Sequence, residues 1–252
     1  MLRVLPECNL VRGDASMMFE VRNGFVELKR HIGTDATIAE DAGEATKVTD
    51  EDVEKAIRRR SVRGVIRYMM QHGHMSPFEH AFMTFEMQMP NHVLTHWLRH
   101  RTGSFSVMSR RHGKKLDTTY YLPEYEPEDA YIAQDAHIRK SFNLYESLLR
   151  ANVPNEQAGL HLPLNSQRLV VWSAKLRNIY ELLNLRLRED VEAETREYAK
   201  AVFKIVQEKF PLTTQAWVEY HLGSVNVSAV SSVEDFYAER AKAVERVTFA
   251  LS

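Results

Sequence analysis

The sequence predicts an α+β fold, on two observations. Stretches with strand character are short and few, and among them lie long stretches with apolar residues at helical spacing. In chain order, Glu20-Val21-Arg22-Asn23-Gly24-Phe25-Val26-Glu27-Leu28 reads as strand, turn and strand, with Asn23-Gly24 as the hairpin signal. Residues 32–46 are polar and rich in Ala, Gly and Asp, and read as a surface loop. Thr49-Asp50-Glu51-Asp52 opens a helix as a capping box, with Thr49 at the N-cap, Asp52 at N3 and acidic residues where the helix dipole favours them. A second helix runs from Ser61 to Gln71 and stops near Gly73.

Phe82 to Met89 partly alternates apolar and polar residues and reads as a strand ended by Pro90. Asn91 then caps a short helix with Leu94, Trp97 and Leu98 at helical spacing, which delivers Arg99 and Arg101 to a loop opened by Gly103. Residues 127–150 form a long amphipathic helix, and Leu169-Val170-Val171-Trp172 a short apolar strand. Further helices are expected over 176–187, 190–209 and, in the tail, 233–244.

Composition narrows the function classes. No apolar run approaches the roughly 20 residues a membrane span requires. Charge and Pro6 interrupt any signal-peptide core at the N-terminus. Cys8 is the only cysteine, which leaves no intrachain disulfide or thiolate metal cluster and fits a reducing, cytoplasmic setting. Lys and Arg total 33 against 34 Asp and Glu, so the chain as a whole is no polyanion binder.

Against that balance, residues 99–111 place four arginines, a histidine and three serines around Gly103. Guanidinium forks match phosphate or carboxylate oxygens two at a time, and serine hydroxyls with loop N–H groups complete an anion cradle. The bland alternative is a solvated basic face. Trp97, Leu98, Phe105, Val107 and Met108 flank the charges and predict partial burial, which favours a small anionic ligand over that alternative and over nucleic acid.

Six histidines crowd residues 72–100, yet the span has neither cysteine ligands nor a metal-binding helix motif, so no metal site is expected. Ser76-Pro77 reads as a helix N-cap, either ordinary or anion-receiving. Arg177, Glu181 and Asn184 fall on one helical face by their spacing, a pattern that an exposed salt-bridged helix shares. Cys8 has no neighbouring cation to lower its pKa, and Ser109 lacks a nucleophile-elbow context.

Together these residues resemble a known family. Arg99-His100-Arg101, seven residues and then Ser109 match the signature of the flavin-dependent thymidylate synthases. The segment His74-x-Ser76-Pro77-Phe78-Glu79-His80 is similar to the family's upstream flavin-site stretch. Leu162-Pro163-Leu164-Asn165, Leu183-Asn184-Leu185-Arg186 and Glu194-x-x-x-Tyr198-Ala199 keep the order of its C-terminal half.

The resemblance implies a single domain over residues 1–252 with the family's α+β fold, assembled as a homotetramer with active sites between subunits. It implies FAD as cofactor, NADPH and 5,10-methylenetetrahydrofolate as co-substrates, and C5-methylation of dUMP without a cysteine nucleophile. It assigns FAD contacts to His74, Ser76, Glu79, Arg99, His100, Arg101, Lys175, Arg177 and Glu181. The nucleotide falls to His96, Arg99, Ser109, Arg110, Arg111 and Arg186, with Ser109 and Arg186 nearest the chemistry and Arg186 at the uracil edge.

Departures from the family pattern gather on the nucleotide side. Ser106-Val107 replaces an Asn-Glu pair, His96 a glutamine and Gly159 an arginine, and Asp190 to Glu194 keeps only the last residue of the usual run. These changes point to altered substrate choice, with dUMP the default and UMP the alternative, as in modified-nucleoside or nucleoside-antibiotic synthesis. Two further alternatives are a non-catalytic FAD- or nucleotide-binding relative and an RNA-binding module using Phe105, Tyr120 and Tyr121 for stacking.

Overall fold

The computed structural model describes residues 10–13, 16–46, 61–109, 119–123 and 127–222. The capping box at Thr49 and the helix expected over 233–244 lie outside the described residues. Among the described residues there are six strands: β1 (Leu10–Gly13), β2 (Ser16–Val21), β3 (Gly24–Ile32), β4 (Phe82–Pro90), β5 (Ser104–Val107) and β6 (Gln167–Lys175). They form one sheet in the order β1-β2-β3-β4-β6-β5. The helices are α1 (Asp35–Thr46), α2 (Val62–Gln71), α3 (Asn91–Trp97), α4 (Glu128–Arg150), α5 (Asn155–Ala158), α6 (Leu176–Arg186), α7 (Ala193–Lys209) and α8 (Pro211–Tyr220). The fold is α+β, as the sequence predicts. The chain divides into two compact units, one from Met1–Glu27 and Phe85–Trp172, the other from Leu28–Thr84 and Ser173–Ser252.

In the first unit, β1 pairs antiparallel with β2, Leu10 opposite Phe19 and Gly13 opposite Ser16. The expected hairpin follows, with its turn one residue earlier than Asn23-Gly24 implies. Arg22 (φ 45°) and Asn23 (φ 61°) take the two left-handed positions of a two-residue turn, and Gly24 begins β3. Tertiary contacts hold Arg22 in that costly conformation. Its Nη1 donates to the Tyr121 hydroxyl at 3.0 Å, and its carbonyl accepts from Gln167 Nε2 at 3.2 Å.

The same unit has an aromatic core. Trp172 of β6 lies between Phe85 of β4 and Phe105 of β5, stacked at 5.4 and 6.3 Å, and Trp97 meets it edge-on at 5.9 Å. Such pairs add about 0.5–1.5 kcal/mol each beyond the area they bury. Met87 and Met89 continue the fully buried face of β4. β4 runs into α3 without a loop, and Pro90 rather than Asn91 occupies the N-cap. The first helical N–H groups find outside acceptors: Asn91 N–H donates to the Ser166 carbonyl at 3.1 Å and His92 N–H to that of Leu164 at 3.0 Å.

In the second unit, residues 35–46 are a helix, where a surface loop was expected. The composition misled because α1 has a capping signature written in threonines. Thr34 N–H donates to Thr37 Oγ1 at 2.8 Å and Thr37 N–H to Thr34 Oγ1 at 3.2 Å, a reciprocal pair at N-cap and N3. Gly33 (φ 91°) makes the corner before it, where a Cβ would come within 3.2 Å of the Ala81 Cβ.

α2 starts at the Ser61 cap and ends in a Schellman motif, with Gly73 left-handed (φ 69°) and the His74 N–H on the Met69 carbonyl at 2.9 Å. Helices α6, α7 and α8 share a buried cluster in which Tyr180 stacks on Trp217 at 4.8 Å. The Tyr180 phenol is satisfied by Thr214 Oγ1 at 3.0 Å, and burial holds its pKa far above the usual tyrosine value. The expected helix over 190–209 begins at Ala193, after a turn in which Arg188 pairs with Asp190.

Candidate functional site

Each unit carries one cluster of the residues singled out from the sequence. In the second unit, three segments far apart in the chain meet at Glu79. Phe78 is fully buried and anchors a single 3-10 turn, Ser76–Glu79. Ser76 is its first residue, Met75 is the cap position, and no side chain caps the turn, so the expected Ser76 N-cap is not formed. A four-residue turn has too little aligned backbone to hold an anion by itself.

β6 enters α6 directly, with Lys175 both the last strand residue and the helix N-cap. The Leu176 N–H donates to the Ala81 carbonyl at 2.9 Å, which locks this junction to the chain just past Glu79. As a result Glu79 Oε2 accepts from Lys175 Nζ and Oε1 from Arg177 Nη1, both at 2.7 Å. Arg177 also pairs with Glu181 one turn on, at 3.4 Å, as the helical spacing predicts.

The hydrogen bond from Lys175 and then that from Arg177 draw the Glu79 carboxyl below its usual pKa, and the bond to Glu79 raises that of Arg177. The side chains of Lys175, Arg177 and Glu181 are 40% exposed or more. Ion pairs so exposed contribute about 0–1 kcal/mol, so stability does not account for the cluster. It presents two oriented cations at a surface. His74 and Ser76 lie exposed on the segment leading to Glu79, with the His74 ring 6.3 Å from Tyr68 and 6.1 Å from His72. Arg186, half-buried, closes α6.

In the first unit, α3 ends over the buried Trp97. The chain then turns, with the His100 N–H on the Trp97 carbonyl at 3.0 Å and the Gly103 N–H on that of His100 at 3.4 Å. The turn feeds β5, whose Phe105 packs on Trp172. Burial is less than the flanking apolar residues imply: Arg99, Arg101 and Ser109 are exposed, as are Leu98 and Met108. Only Trp97 is buried, because the strand that follows is short and alternates exposed with half-buried residues. Among the described residues neither Arg99 nor Arg101 makes a hydrogen bond or ion pair. His96 and His100 are half-buried beside them. Arg110 and Arg111 lie outside the described residues.

Of the departures, Val107 is half-buried at the end of β5 and Gly159 is buried where α5 passes into a second 3-10 turn. One residue escaped the sequence reading. Arg168 is half-buried on β6, with Nη2 on the Met108 carbonyl at 2.9 Å, and a single Arg beside Gln167 in an apolar strand carried no signal of that bond.

The fold is α+β, and each unit presents cationic side chains at its surface. The family model described as thymidylate synthase complementing protein matches residues 27–212, and the chain belongs to that family of enzymes. It is 34% identical to the flavin-dependent thymidylate synthase of Thermotoga neapolitana over 205 residues, covering 78% of this chain and 92% of the relative. With that of Thermus thermophilus it shares 33% identity over 219 residues, covering 79% and 77%. Among solved structures, the fold is similar to that of PolB, a UMP/dUMP methylase from Streptomyces cacaoi bound with 5-Br dUMP. The TM-score is 0.67 at 24% identity, over 79% of this chain and 97% of the other.

Proposed function

We propose that the protein is a flavin-dependent uridylate C5-methylase that converts dUMP to dTMP with NADPH and 5,10-methylenetetrahydrofolate. The observation that carries this reading is the turn at Arg99–Arg101, two exposed guanidiniums without a protein partner among the described residues, within the matched family region. FAD carries a diphosphate, and planar guanidinium forks such as those of Arg99 and Arg101 suit its oxygens. Bound flavin would supply the hydride that completes the methyl group.

The chain's own residues supply binding and electrostatics. Arg99, His100 and Arg101 hold the cofactor, with His74, Ser76, Lys175, Arg177 and Glu181. Glu79 keeps Lys175 and Arg177 in register. His96, Ser109, Arg110 and Arg111 bind the nucleotide. Arg186 stabilises negative charge on the uracil as a permanent cation, since a guanidinium cannot serve as a base near neutrality. The active protein in this reading is a cytoplasmic homotetramer whose subunits share active sites and whose chain forms one domain. Among the described residues no helix is long and apolar enough to cross a membrane.

UMP is the second substrate of this reading, favoured by Val107, which has no carboxylate to offer a nucleotide, and by a structural neighbour that is a UMP/dUMP methylase. The test is a competition assay with FAD, NADPH, methylenetetrahydrofolate and equimolar dUMP and UMP, read by mass spectrometry. Methylated dUMP alone defines a thymidylate synthase. Methylated UMP defines a changed specificity and a place in modified-nucleoside synthesis. Bound FAD with neither product refutes the proposal in favour of a non-catalytic relative.

A further inference from the structure

Like Arg22 and Arg196, Arg168 has a neutral oxygen as its hydrogen-bond partner, and of the three it is the one bonded next to Ser109. Arg67, Arg139, Arg177 and Arg188 each meet a carboxylate. Arg168 is half-buried, and its one described partner is a neutral oxygen, the Met108 carbonyl. Its Nε, like those of Arg22 and Arg196, is buried with no acceptor among the described residues. Burial lowers its pKa, and among the described residues no charge acts in the opposite direction. A guanidinium withdrawn from water is ordinarily matched by an anion, because desolvation of an unpaired cation is unfavourable. The strand register keeps it there, since the Met108 N–H donates to the Leu169 carbonyl at 2.9 Å and so draws residue 108 alongside β6.

The position is informative. Met108 immediately precedes Ser109, and on the reading proposed above Ser109 contacts the nucleotide. The bond to the Met108 carbonyl uses one donor of the fork and orients the plane. A guanidinium so held keeps further terminal N–H donors, enough in number for two oxygens of a phosphoryl group. A residue that only fixed the strand end would need no charge, and a neutral amide would serve it as well.

We infer that Arg168 is an anion-binding residue whose guanidinium, steered by the Met108 carbonyl, receives phosphoryl oxygens of the uridylate beside Ser109. The inference rests on the uridylate reading for the identity of the anion. The charge match would also suit the diphosphate of FAD, and adjacency to Ser109 favours the monophosphate.

The test uses the flavin-loaded protein, titrated calorimetrically with dUMP and with deoxyuridine, which lacks the phosphate. Arg168→Met should weaken dUMP about tenfold or more, while deoxyuridine changes by less than about twofold and the yellow colour persists. Equal weakening of both ligands overturns the inference and leaves Arg168 a strand fastener. Loss of flavin with dUMP affinity intact moves the anion to the cofactor and overturns the uridylate assignment.

If Arg168→Met does not fold, the wild-type protein decides by phenylglyoxal labelling and peptide mass spectrometry. Protection of Arg168 by dUMP and by inorganic phosphate, but not by deoxyuridine, is the expected result, and absence of protection overturns the inference. If the wild-type protein binds no uridylate, the functional reading has failed on its own. Protection of Arg168 by inorganic phosphate would still show the anion site, and its absence would remove that too.

Discussion

The Asp35 carboxylate caps a helix that begins 176 residues later: Oδ1 accepts both the Thr213 N–H at 3.0 Å and the Thr213 hydroxyl at 2.6 Å. Its other oxygen takes the Leu212 N–H at 2.8 Å. α8 thus has no cap of its own and borrows one from the first turn of α1, where the carboxylate is buried. Asp35→Ala would leave two N–H groups and a hydroxyl buried without acceptors, and should cost about 3 kcal/mol of unfolding free energy. Asp35→Asn, which keeps one acceptor oxygen, should cost less. Denaturant melts of the two variants check this, and equal losses would contradict the capping role.

Glu79 sets the acid side of the second unit. Its pKa is depressed, so its ion pairs are fully present above the ordinary carboxylate value of about 4.3 and are lost as pH falls through its lower folded-state value. Carboxyl NMR, assigned by comparison with Glu79→Gln, should therefore show a midpoint below about 4.3. A midpoint at or above that value would mean that Lys175 and Arg177 are not held as described.

Arg101 has no partner among the described residues, so its removal should leave the fold undisturbed and affect the ligand alone. Arg101→Ala should weaken flavin roughly tenfold to a hundredfold, the weight of one charge-assisted contact, with an unchanged melting temperature for the flavin-free protein. Protein purified equally yellow would misplace that arginine.

Arg186 is expected to act later, in the chemistry. Arg186→Lys should retain flavin and lose about a hundredfold or more in turnover, because a point charge cannot replace a planar fork aimed at developing charge. Unchanged turnover would remove Arg186 from the uracil edge.

Much of this was legible in the sequence, for local reasons. The alternation through Met83, Phe85, Met87 and Met89 is one fully buried face of a strand, and the Ser61 cap and Gly73 stop bound a helix as written. Arg177 and Glu181 pair as their spacing implies. What escaped depends on partners distant in sequence. Residues 32–46 look like a loop because α1 has a threonine capping pair and its one buried acid serves another helix. The Arg99–Arg101 turn looks buried because its neighbours are apolar, yet Phe105 and Val107 on the inward face of β5 are only half-buried, and Leu98 and Met108 are exposed. Glu79 meeting Lys175 and Arg177 could be expected only through the family resemblance, since nothing local to Glu79 names a partner 96 residues away.

The two junctions where a strand becomes a helix with no intervening residue, at Pro90–Asn91 and Lys175–Leu176, carry an evolutionary consequence. Each added or deleted residue would turn the following helix by about 100° and redirect everything it displays. Substitution is then the open route to new specificity, while length around these corners is closed to change. Descendants of this scaffold should diverge in side chains there and accumulate insertions elsewhere, so a library built to alter the substrate would do best to hold both corners at their present length.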